Sequence, residues 1–351
     1  MTVTLKTIAK ELGMSSMAVS YALRGSDEVS GETRDRVALV AKRLGYRPNA
    51  SARAIRTGHF DSIAVLVDPD ARSGALTTGM LLGLQETLAE AGSHLALDCI
   101  EDARLKDPSY IPPILRDRRV DGLVMNYHSR QPAGLARILA HAGMPVVWLN
   151  LARGTNAVCW NDRGAASALT RHLISLGHRR IAYADLGFNY PAGAPRHYSR
   201  DDRAAGYLEA MATAGLESAT VFNAPDGGDR GVDHRVARDT LRSLHAGGCM
   251  PTACIAHDPG CADAIGVMVR ELFAMRPPAD LVLASFTSTA VADFHTPERT
   301  LWLTAMVHDD RELGRAAGRM LLAKLATTFE SMRTQRLDMV LSAGQTAHPP
   351  T

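Results

Sequence analysis

Basic side chains are concentrated at the start of the 351-residue chain. Residues 1–60 contain ten lysines and arginines against five aspartates and glutamates, a net charge of +5. The remaining residues carry a net charge of −3, which leaves a formal total of +2 at pH 7. A small basic segment followed by a mildly acidic body indicates that the first 60 residues bind a polyanion such as nucleic acid.

The side chains that serve catalysis or metal binding form no recognisable constellation. The five cysteines include no C-x-x-C pair, so we interpret them as reduced thiols and expect neither a zinc site nor a disulfide framework. The sequence also has no G-x-G-x-x-G after a strand, and no G-x-x-x-x-G-K-[ST], G-x-S-x-G or H-E-x-x-H. We therefore predict that the protein is not an enzyme and has no cofactor or metal.

Composition places the chain among folded proteins of two or three domains. It is 46% hydrophobic and 22% charged, without 18 uninterrupted apolar residues. The first ten residues lack the apolar core of a secretory signal. We expect a cytoplasmic protein with no membrane partner.

Three short helices are predicted to position the basic residues of the first segment. The expected N-caps are Thr4, Ser15 and Ser30, and the expected ends are Gly13, Leu23 and Leu44. Two helices joined by a tight glycine turn and closed by a third are typical of a helix-turn-helix. The same spacing would also suit a purely structural three-helix cap.

The stretches VSGETRDRV and LGYRPNASAR, with the helical pattern around them, resemble the DNA-binding head of the lac repressor (LacI/GalR) family of bacterial regulators. The resemblance covers residues 3–58 almost without gaps. It implies an N-terminal all-α helix-turn-helix domain over 1–48, a hinge helix and linker over 49–60, and a second helix in the major groove of double-stranded operator DNA. The residues that it places on DNA are Thr4, Leu5, Ser16, Met17, Ser20, Tyr21, Ser30, Thr33, Asn49, Ala52 and Ile55.

These predicted contacts differ in kind. Thr4, Ser30, Thr33 and Asn49 stand where the family contacts phosphates, which fix the register without reading sequence. Ile55 takes the place of a leucine that the family inserts into the minor groove, where it unstacks one base step and bends the DNA.

Tyr21 departs from the family pattern, in which many members have an arginine, and Ala18 replaces a threonine that touches the backbone. Arginine reads guanine through two donors, whereas tyrosine offers one hydroxyl and a ring. We expect the operator half-site to differ from the best-known one at that base, with simple packing of Tyr21 against the duplex as the alternative.

Short apolar runs alternate with amphipathic stretches from Asp61 onward. This alternation predicts an α/β body of two doubly wound lobes, with a ligand cleft at the carboxyl ends of parallel strands. The predicted strands are Ile63–Val67, Leu95–Cys99, Gly122–Met125, Pro145–Leu149, Arg180–Ala184, Ala253–Ala256 and Leu281–Ala284. The predicted helices are Thr77–Ala91, Pro132–His141, Ala165–Leu176, Ala204–Ala214, Arg235–Leu244 and Ala262–Phe273.

The stretches NDRGAASALTRHLISLGHRRIAY, SRDDRAAGYLEAMATAGL, PTACIAHDPGCADAIGVM and DDRELGRAAGRMLL resemble the same family more loosely. They imply a periplasmic-binding-protein-like body over 61–351 that binds a small-molecule effector, such as a sugar or sugar derivative, and forms a homodimer. Arg203 matches the arginine with which the family binds effector, and its fork suits a hydroxyl pair or a carboxylate. The residues that the resemblance places at the effector are Ser73, Asn161, Asp162, Arg203, His257 and Thr287.

The sugar-binding pattern of the family is eroded in this sequence. The departures are Asn161-Asp162 for Asp-Asn, His257-Asp258 for Asn-Asp, Thr287-Ser288 for an acidic pair, and Ala75-Leu76 for an aromatic pair. A plain hexose is therefore not expected as the ligand. His257 is either a ligand-contacting donor or an ordinary histidine, and Leu186–Arg200 is either a lid or a surface loop.

Together these patterns predict a sequence-specific DNA-binding transcriptional regulator, with a repressor expected. It would bind a pseudo-palindromic operator as a homodimer and respond to a small ligand between its lobes. The alternative is an effector-independent regulator with a degenerate cleft. The tail after Leu341 lacks leucine heptads, so a tetramerising coiled coil is not expected. A solute-binding protein would share the body but would lack the basic head.

Overall fold

The chain divides into two compact units, Met1–Phe60 and Asp61–Thr351. The computed structural model describes residues 3–47, 58–67, 76–99, 102–107, 109–117, 119–127, 133–141, 143–186, 197–222, 234–289, 303–327 and 330–350. Four predicted site residues lie outside these ranges: Asn49, Ala52, Ile55 and Ser73.

The described residues of the first unit form the three predicted helices, α1 (Leu5–Leu12), α2 (Ser16–Leu23) and α3 (Gly31–Arg43). All three predicted N-caps are confirmed, because each side chain accepts a hydrogen bond from the backbone N–H three residues later. Gly13 and Gly45 follow α1 and α3 with φ of +62° and +68°, a conformation that glycine adopts without steric cost.

The core of the first unit is formed by the inward faces of these helices. Ile8, Val19 and Val37 are fully buried, one from each helix, and Ala22 is buried as well, with Leu23 packed against this core. Since this core uses only one face of α2, the opposite face is left to solvent.

The second unit alternates strands and helices as predicted. Its first part contains β1 (Ser62–Val67), α4 (Thr78–Glu90), β2 (His94–Cys99), the short helices α5 (Asp102–Leu105) and α6 (Pro113–Arg116), β3 (Gly122–Asn126), α7 (Ala133–His141), β4 (Val146–Leu149) and β5 (Ala157–Trp160). Next come α8 (Asp162–Ser175), β6 (Ile181–Asp185), α9 (Tyr198–Thr213), β7 (Ala219–Phe222), α10 (Arg235–Ala246), β8 (Ala253–Ala256), α11 (Pro259–Phe273) and β9 (Val282–Ser288). It ends with β10 (Thr304–His308), α12 (Asp310–Leu325), β11 (Gln335–Leu337) and β12 (Val340–Ser342).

These strands form two six-stranded sheets, each the centre of one lobe. The first sheet has the order β11-β5-β4-β3-β1-β2 and the second has the order β12-β10-β9-β8-β6-β7. All pairings are parallel except that of β10 with β12. The predicted fold class, an all-α head followed by an α/β body of two doubly wound lobes, is confirmed.

The chain passes between the two sheets three times, after β5, after β10 and after β11. α8 packs on α9 and on the second sheet, whereas α12 returns to pack on α4 and the first sheet. The residues at these passages, Asn161, Asp309 and Asp338, therefore lie between the lobes.

Three helices begin earlier than the sequence predicted. α8, α9 and α11 start at Asp162, Tyr198 and Pro259, three to six residues before the sequence-based starts. The first turns of α8 and α9 are mostly polar and α11 begins with proline and glycine, so an apolar periodicity does not mark these helix starts. Part of the predicted lid or loop at 186–200 is thus the first turn of α9.

Candidate functional site

The outer face of α2 presents the residues that were predicted to contact bases and phosphates in the major groove. Met17 is 64% exposed, and Ser16, Ser20 and Tyr21 are half-buried. None of the four belongs to the core of the head, so their side chains are available at the surface. The structure therefore brings these four residues together on one short helix.

The predicted phosphate-contacting hydroxyls lie at helix N-termini. The Thr4 hydroxyl accepts a hydrogen bond from Thr7 N at 3.4 Å, and the Ser30 hydroxyl accepts one from Thr33 N at 3.3 Å. Ser30 Oγ and Thr33 Oγ1 are also hydrogen-bonded at 2.9 Å, while Leu5 packs against the head core. Exposed N-terminal turns with positive dipoles suit phosphate oxygens, in addition to the capping role seen here.

Arg24 is a candidate DNA-contacting residue that was not identified from the sequence. It follows α2, and its guanidinium carbon lies 5.1 Å from the centre of the Tyr21 ring. Its spacing of three residues from Tyr21 was the signal that could have found it, because residues three apart are neighbours on a helix.

In the second unit, three predicted effector residues meet in one buried network. Arg203 Nε donates to Asp162 Oδ1 at 2.6 Å, and Arg203 Nη1 donates to the His257 carbonyl oxygen at 2.6 Å. The guanidinium carbon also lies 4.3 Å from the centre of the Phe286 ring. Arg203 is 8% exposed and Asp162 is 1% exposed. Much of the hydrogen-bonding capacity of the Arg203 guanidinium is therefore used by groups of the chain itself.

The other predicted effector residues are engaged differently. Asn161 caps α8 by accepting from Gly164 N at 3.2 Å and donates its amide to Asp338 Oδ1 at 2.8 Å. Both polar ends of Asn161 are thus committed at a passage between the lobes. Thr287 is 8% exposed and its hydroxyl makes a long contact of 3.5 Å with the Ser288 carbonyl.

His257 lies at the end of β8 and is half-buried. Its Nδ1 shares a hydrogen bond of 3.1 Å with the Tyr183 hydroxyl. Burial, reinforced by the charges of Arg203 and Arg200, holds the pKa of His257 well below its usual range. The histidine is therefore neutral at pH 7 and can donate or accept one hydrogen bond.

A second buried group beside α9 was not identified from the sequence. His197 Nε2 contacts the Asn150 carbonyl at 3.1 Å, and the Tyr198 hydroxyl accepts from Trp160 N at 3.0 Å. Burial lowers the pKa of His197 to about 4 and raises the pKa of Tyr198 well above its usual range. Both side chains therefore stay neutral at pH 7.

Arg200 and Asp185 form a further buried ion pair at 2.7 Å, where β6 ends and α9 begins. Both are at most 9% exposed. With Arg203 and Asp162, this gives two arginine–aspartate pairs at the carboxyl edge of the second sheet and its crossover helix.

Buried polar atoms without a hydrogen-bond partner among the described residues include Asn126 Nδ2, Trp160 Nε1 and Asp162 Oδ2. Asn126 ends β3 and Trp160 ends β5, so both lie at the carboxyl edge of the first sheet, and Asp162 follows directly. Two donors and one carboxylate oxygen left in this way suit a ligand with hydroxyl groups, which both accept and donate.

A cavity of about 260 Å³ borders the passages between the lobes. It is lined by Trp160, Thr289, Val307, Asp309, Glu312, Leu337, Asp338 and Val340. Of the predicted effector residues that the structure describes, none lines this cavity.

Across the described side chains, no group of three or more histidine, cysteine, aspartate or glutamate residues is arranged to hold a metal ion. Within the same ranges, none of the helices combines the length and the apolar character needed to span a bilayer.

Comparison with known proteins relates both units to regulators. Residues 4–49 match the family model for bacterial regulatory proteins of the lacI family, and residues 170–346 match that for a periplasmic binding protein-like domain. The chain is 28% identical over 347 residues to the HTH-type transcriptional regulator CelR of Thermobifida fusca, covering 94% of each protein. It is 25% identical over 345 residues to the HTH-type transcriptional repressor PurR of Erwinia tasmaniensis, covering 94% of this chain and 93% of PurR.

Solved structures share the fold. The lac repressor dimer bound to operator and the anti-inducer ONPF has a TM-score of 0.74 at 19% identity, covering 99% of this chain and 100% of that one. The CelR–cellobiose complex has a TM-score of 0.60 at 24% identity, covering 98% and 99% of the two chains.

Proposed function

The chain belongs to the lacI family of bacterial regulatory proteins, and from this premise we propose that it is a repressor that binds a pseudo-palindromic operator as a homodimer. It is a DNA-binding transcriptional regulator whose body is a periplasmic binding protein-like domain, and it is not an enzyme. The repressing action, the operator and the dimer are the parts that we propose.

The outer face of α2 carries this proposal. Its inward side chains, Val19 and Ala22, are buried in the core of the head. Met17, Ser20 and Tyr21 therefore lie on the face that can enter a major groove. The net charge of +5 on the first 60 residues supplies attraction to phosphates. In the same scheme Thr4, Ser30 and Thr33 bind phosphates, and Asn49, Ala52 and Ile55 act at the hinge.

Selection of random duplex DNA with the full chain tests the DNA-binding part. We expect a pseudo-palindrome of about 14–20 base pairs, because two symmetric heads read two half-sites. Met17→Ala should weaken binding, whereas Leu39→Ala, which removes an equally exposed apolar side chain from α3, should not. An asymmetric single site bound by one chain would contradict the proposal.

For the ligand, we propose a hydroxylated small molecule, such as a sugar or sugar derivative, at the carboxyl edges of the two sheets. In this proposal the second lobe binds the ligand through Arg203, Asp162, His257 and Thr287. The first lobe binds it through Ser73. Asn126 Nδ2 and Asp162 Oδ2, which have no hydrogen-bond partner among the described residues, support hydroxyl recognition. Among similar proteins, one solved regulator holds cellobiose and another holds ribose.

A thermal-shift screen with monosaccharides, disaccharides, sugar phosphates and polyols tests this ligand class. A hit should stabilise the parent and change its operator affinity, since a ligand shifts the lobes only if it prefers one arrangement. Asn126→Ala should lose the shift and keep operator binding, because the removed amide nitrogen has no partner among the described residues.

One observation favours the second candidate, an effector-independent regulator. Arg203, the residue expected to hold the effector, is already paired with Asp162 and the His257 carbonyl. If no compound in the screen changes operator affinity while the chain still selects an operator, this second function is the correct one.

A further inference from the structure

The side chain of Arg24 folds back along α2. Its Nε donates to the Ser20 carbonyl oxygen at 3.0 Å, and its guanidinium carbon lies 5.1 Å from the centre of the Tyr21 ring. Arg24 itself stands one residue beyond the end of the helix. Its charge is therefore displaced back by about one helical turn, to the level of Ser20 and Tyr21.

Two contacts fix the stem of this arginine and leave its end open. Within the described part of the chain, the only hydrogen bond of the Arg24 side chain is the one from Nε, so Nη1 and Nη2 have no partner. These two nitrogens form a fork of parallel donors, the geometry that matches O6 and N7 of guanine in the major groove. The contact with the tyrosine ring holds the fork, which reduces the conformational entropy lost on binding DNA.

Two other arginines of the head are used differently. Arg34 donates to the Gly25 carbonyl oxygen at 2.9 Å and also lies 3.6 Å from Asp27. Arg43 is paired with Glu11. Arg24 instead has a positioned guanidinium whose terminal donors face no acceptor of the described chain.

We propose that Tyr21 and Arg24 act as one reading unit, in which the tyrosine ring positions Arg24 and the Arg24 fork binds a guanine in each operator half-site. The side chain at position 24 thus supplies the guanidinium that many family members place at position 21. The half-site would keep a guanine there, in place of the altered base expected from Tyr21 alone. This inference rests on the proposed operator binding.

Selection of randomised half-sites with the full-length parent and four variants tests the unit. The parent should enrich a guanine at one symmetric position, with an affinity about ten-fold higher than for the other bases. Arg24→Ala should abolish this preference and leave the remaining positions of the consensus unchanged. Arg24→Lys should abolish it too, because an ammonium keeps the charge but lacks the fork.

The tyrosine variants separate the ring from the hydroxyl. Tyr21→Phe should keep the guanine preference, since the ring alone positions the guanidinium, whereas Tyr21→Leu should weaken it. Loss of the preference in Tyr21→Phe would show that the tyrosine hydroxyl reads the base and would overturn the reading unit.

Arg36→Ala is the matched control, because it removes an exposed arginine from α3. It should affect operators with and without the guanine equally. If Arg24→Ala also weakens all sequences equally, with a shallower salt dependence, Arg24 contacts a phosphate and the inference is wrong. If the parent enriches no sequence, the proposed function itself fails.

Discussion

The Arg203 guanidinium and the Asp162 carboxylate depend on each other because both are buried. Removing one member of such a pair leaves an uncompensated charge, which typically costs about 3–5 kcal/mol. Arg203→Ala should therefore lower the free energy of unfolding of the body by that amount in urea titrations. Replacing both residues together, as Arg203→Leu with Asp162→Leu, should recover most of the loss.

The exposed pair of Arg163 and Glu209, at 3.0 Å, provides the comparison. Arg163→Ala should change stability by less than about 1 kcal/mol, because solvent screens this pair. If Arg203→Ala unfolds like the parent and loses only a ligand response, the guanidinium serves the ligand and contributes little to folding.

His197 makes the stability of the body sensitive to acid. Burial lowers its pKa from 6.5 to about 4, so below pH 6.5 the unfolded chain binds a proton that the folded chain does not. Its contribution is complete above pH 6.5 and is lost as the pH falls towards 4. Between pH 7 and pH 5 we expect a loss of about 2 kcal/mol from this residue.

Unfolding of the parent and of His197→Gln at pH 7 and pH 5 measures this contribution. The variant should lose less stability between the two pH values than the parent does. His245→Gln, a change at an exposed histidine, should behave as the parent. An identical pH dependence for parent and His197→Gln would contradict the assignment.

At the level of secondary-structure elements, the contact between α4 and α12 depends on glycine. A methyl group added to Gly83 would overlap the carbonyl oxygen of Arg311, and one added to Gly314 would overlap that of Met80. The two backbones approach so closely because these positions carry no side chain. α12 thereby ties the chain that returns from the second sheet to the first lobe.

Gly83→Ala should destabilise the body by about 1–3 kcal/mol, because neither backbone can move without disturbing its helix. The matched control is Gly266→Ala on α11, where the added methyl group meets only Leu283 Cδ1 at 3.4 Å. That change should be neutral or stabilise by up to about 1 kcal/mol, since alanine favours helix more than glycine does. Equal effects of the two substitutions in thermal unfolding would show that the close approach is relaxed in solution.

At the level of the whole molecule, the proposed homodimer needs an interface, and we predict that this interface lies on the first lobe. Leu82 on α4 is 46% exposed and Leu97 on the edge strand β2 is 60% exposed, and these two elements are in contact. An apolar patch formed by exposed side chains on two touching elements is typical of an interface. These two residues support the proposed homodimer.

The double substitution Leu82→Glu and Leu97→Glu should convert dimers to monomers in sedimentation experiments and weaken operator binding. A charge buried at an interface without a partner opposes association. Val236→Glu, which changes a 43% exposed residue on α10, should leave the mass unchanged. A dimer that survives the double substitution would place the interface elsewhere.

The three helices of the head could be predicted almost completely from the sequence. Thr4, Ser15 and Ser30 cap their helices through bonds to residues three positions later, and Gly13 and Gly45 end two of them within one turn. Such contacts are local, so the spacing of residue types determines them. The alternation of strands and helices in the body, and hence the two-lobed fold class, followed from the sequence in the same way.

Only the tertiary structure decided which contacts form around Arg203. Asp162 and Arg203 are 41 positions apart in sequence, and Phe286 comes from another strand. Strands β11 and β12 have three residues each, too few for a periodic pattern, yet their place in the two sheets sets the third passage between the lobes. Pairings over such distances depend on how the sheets and helices pack as a whole, whereas the sequence alone records the local preferences from which those elements form.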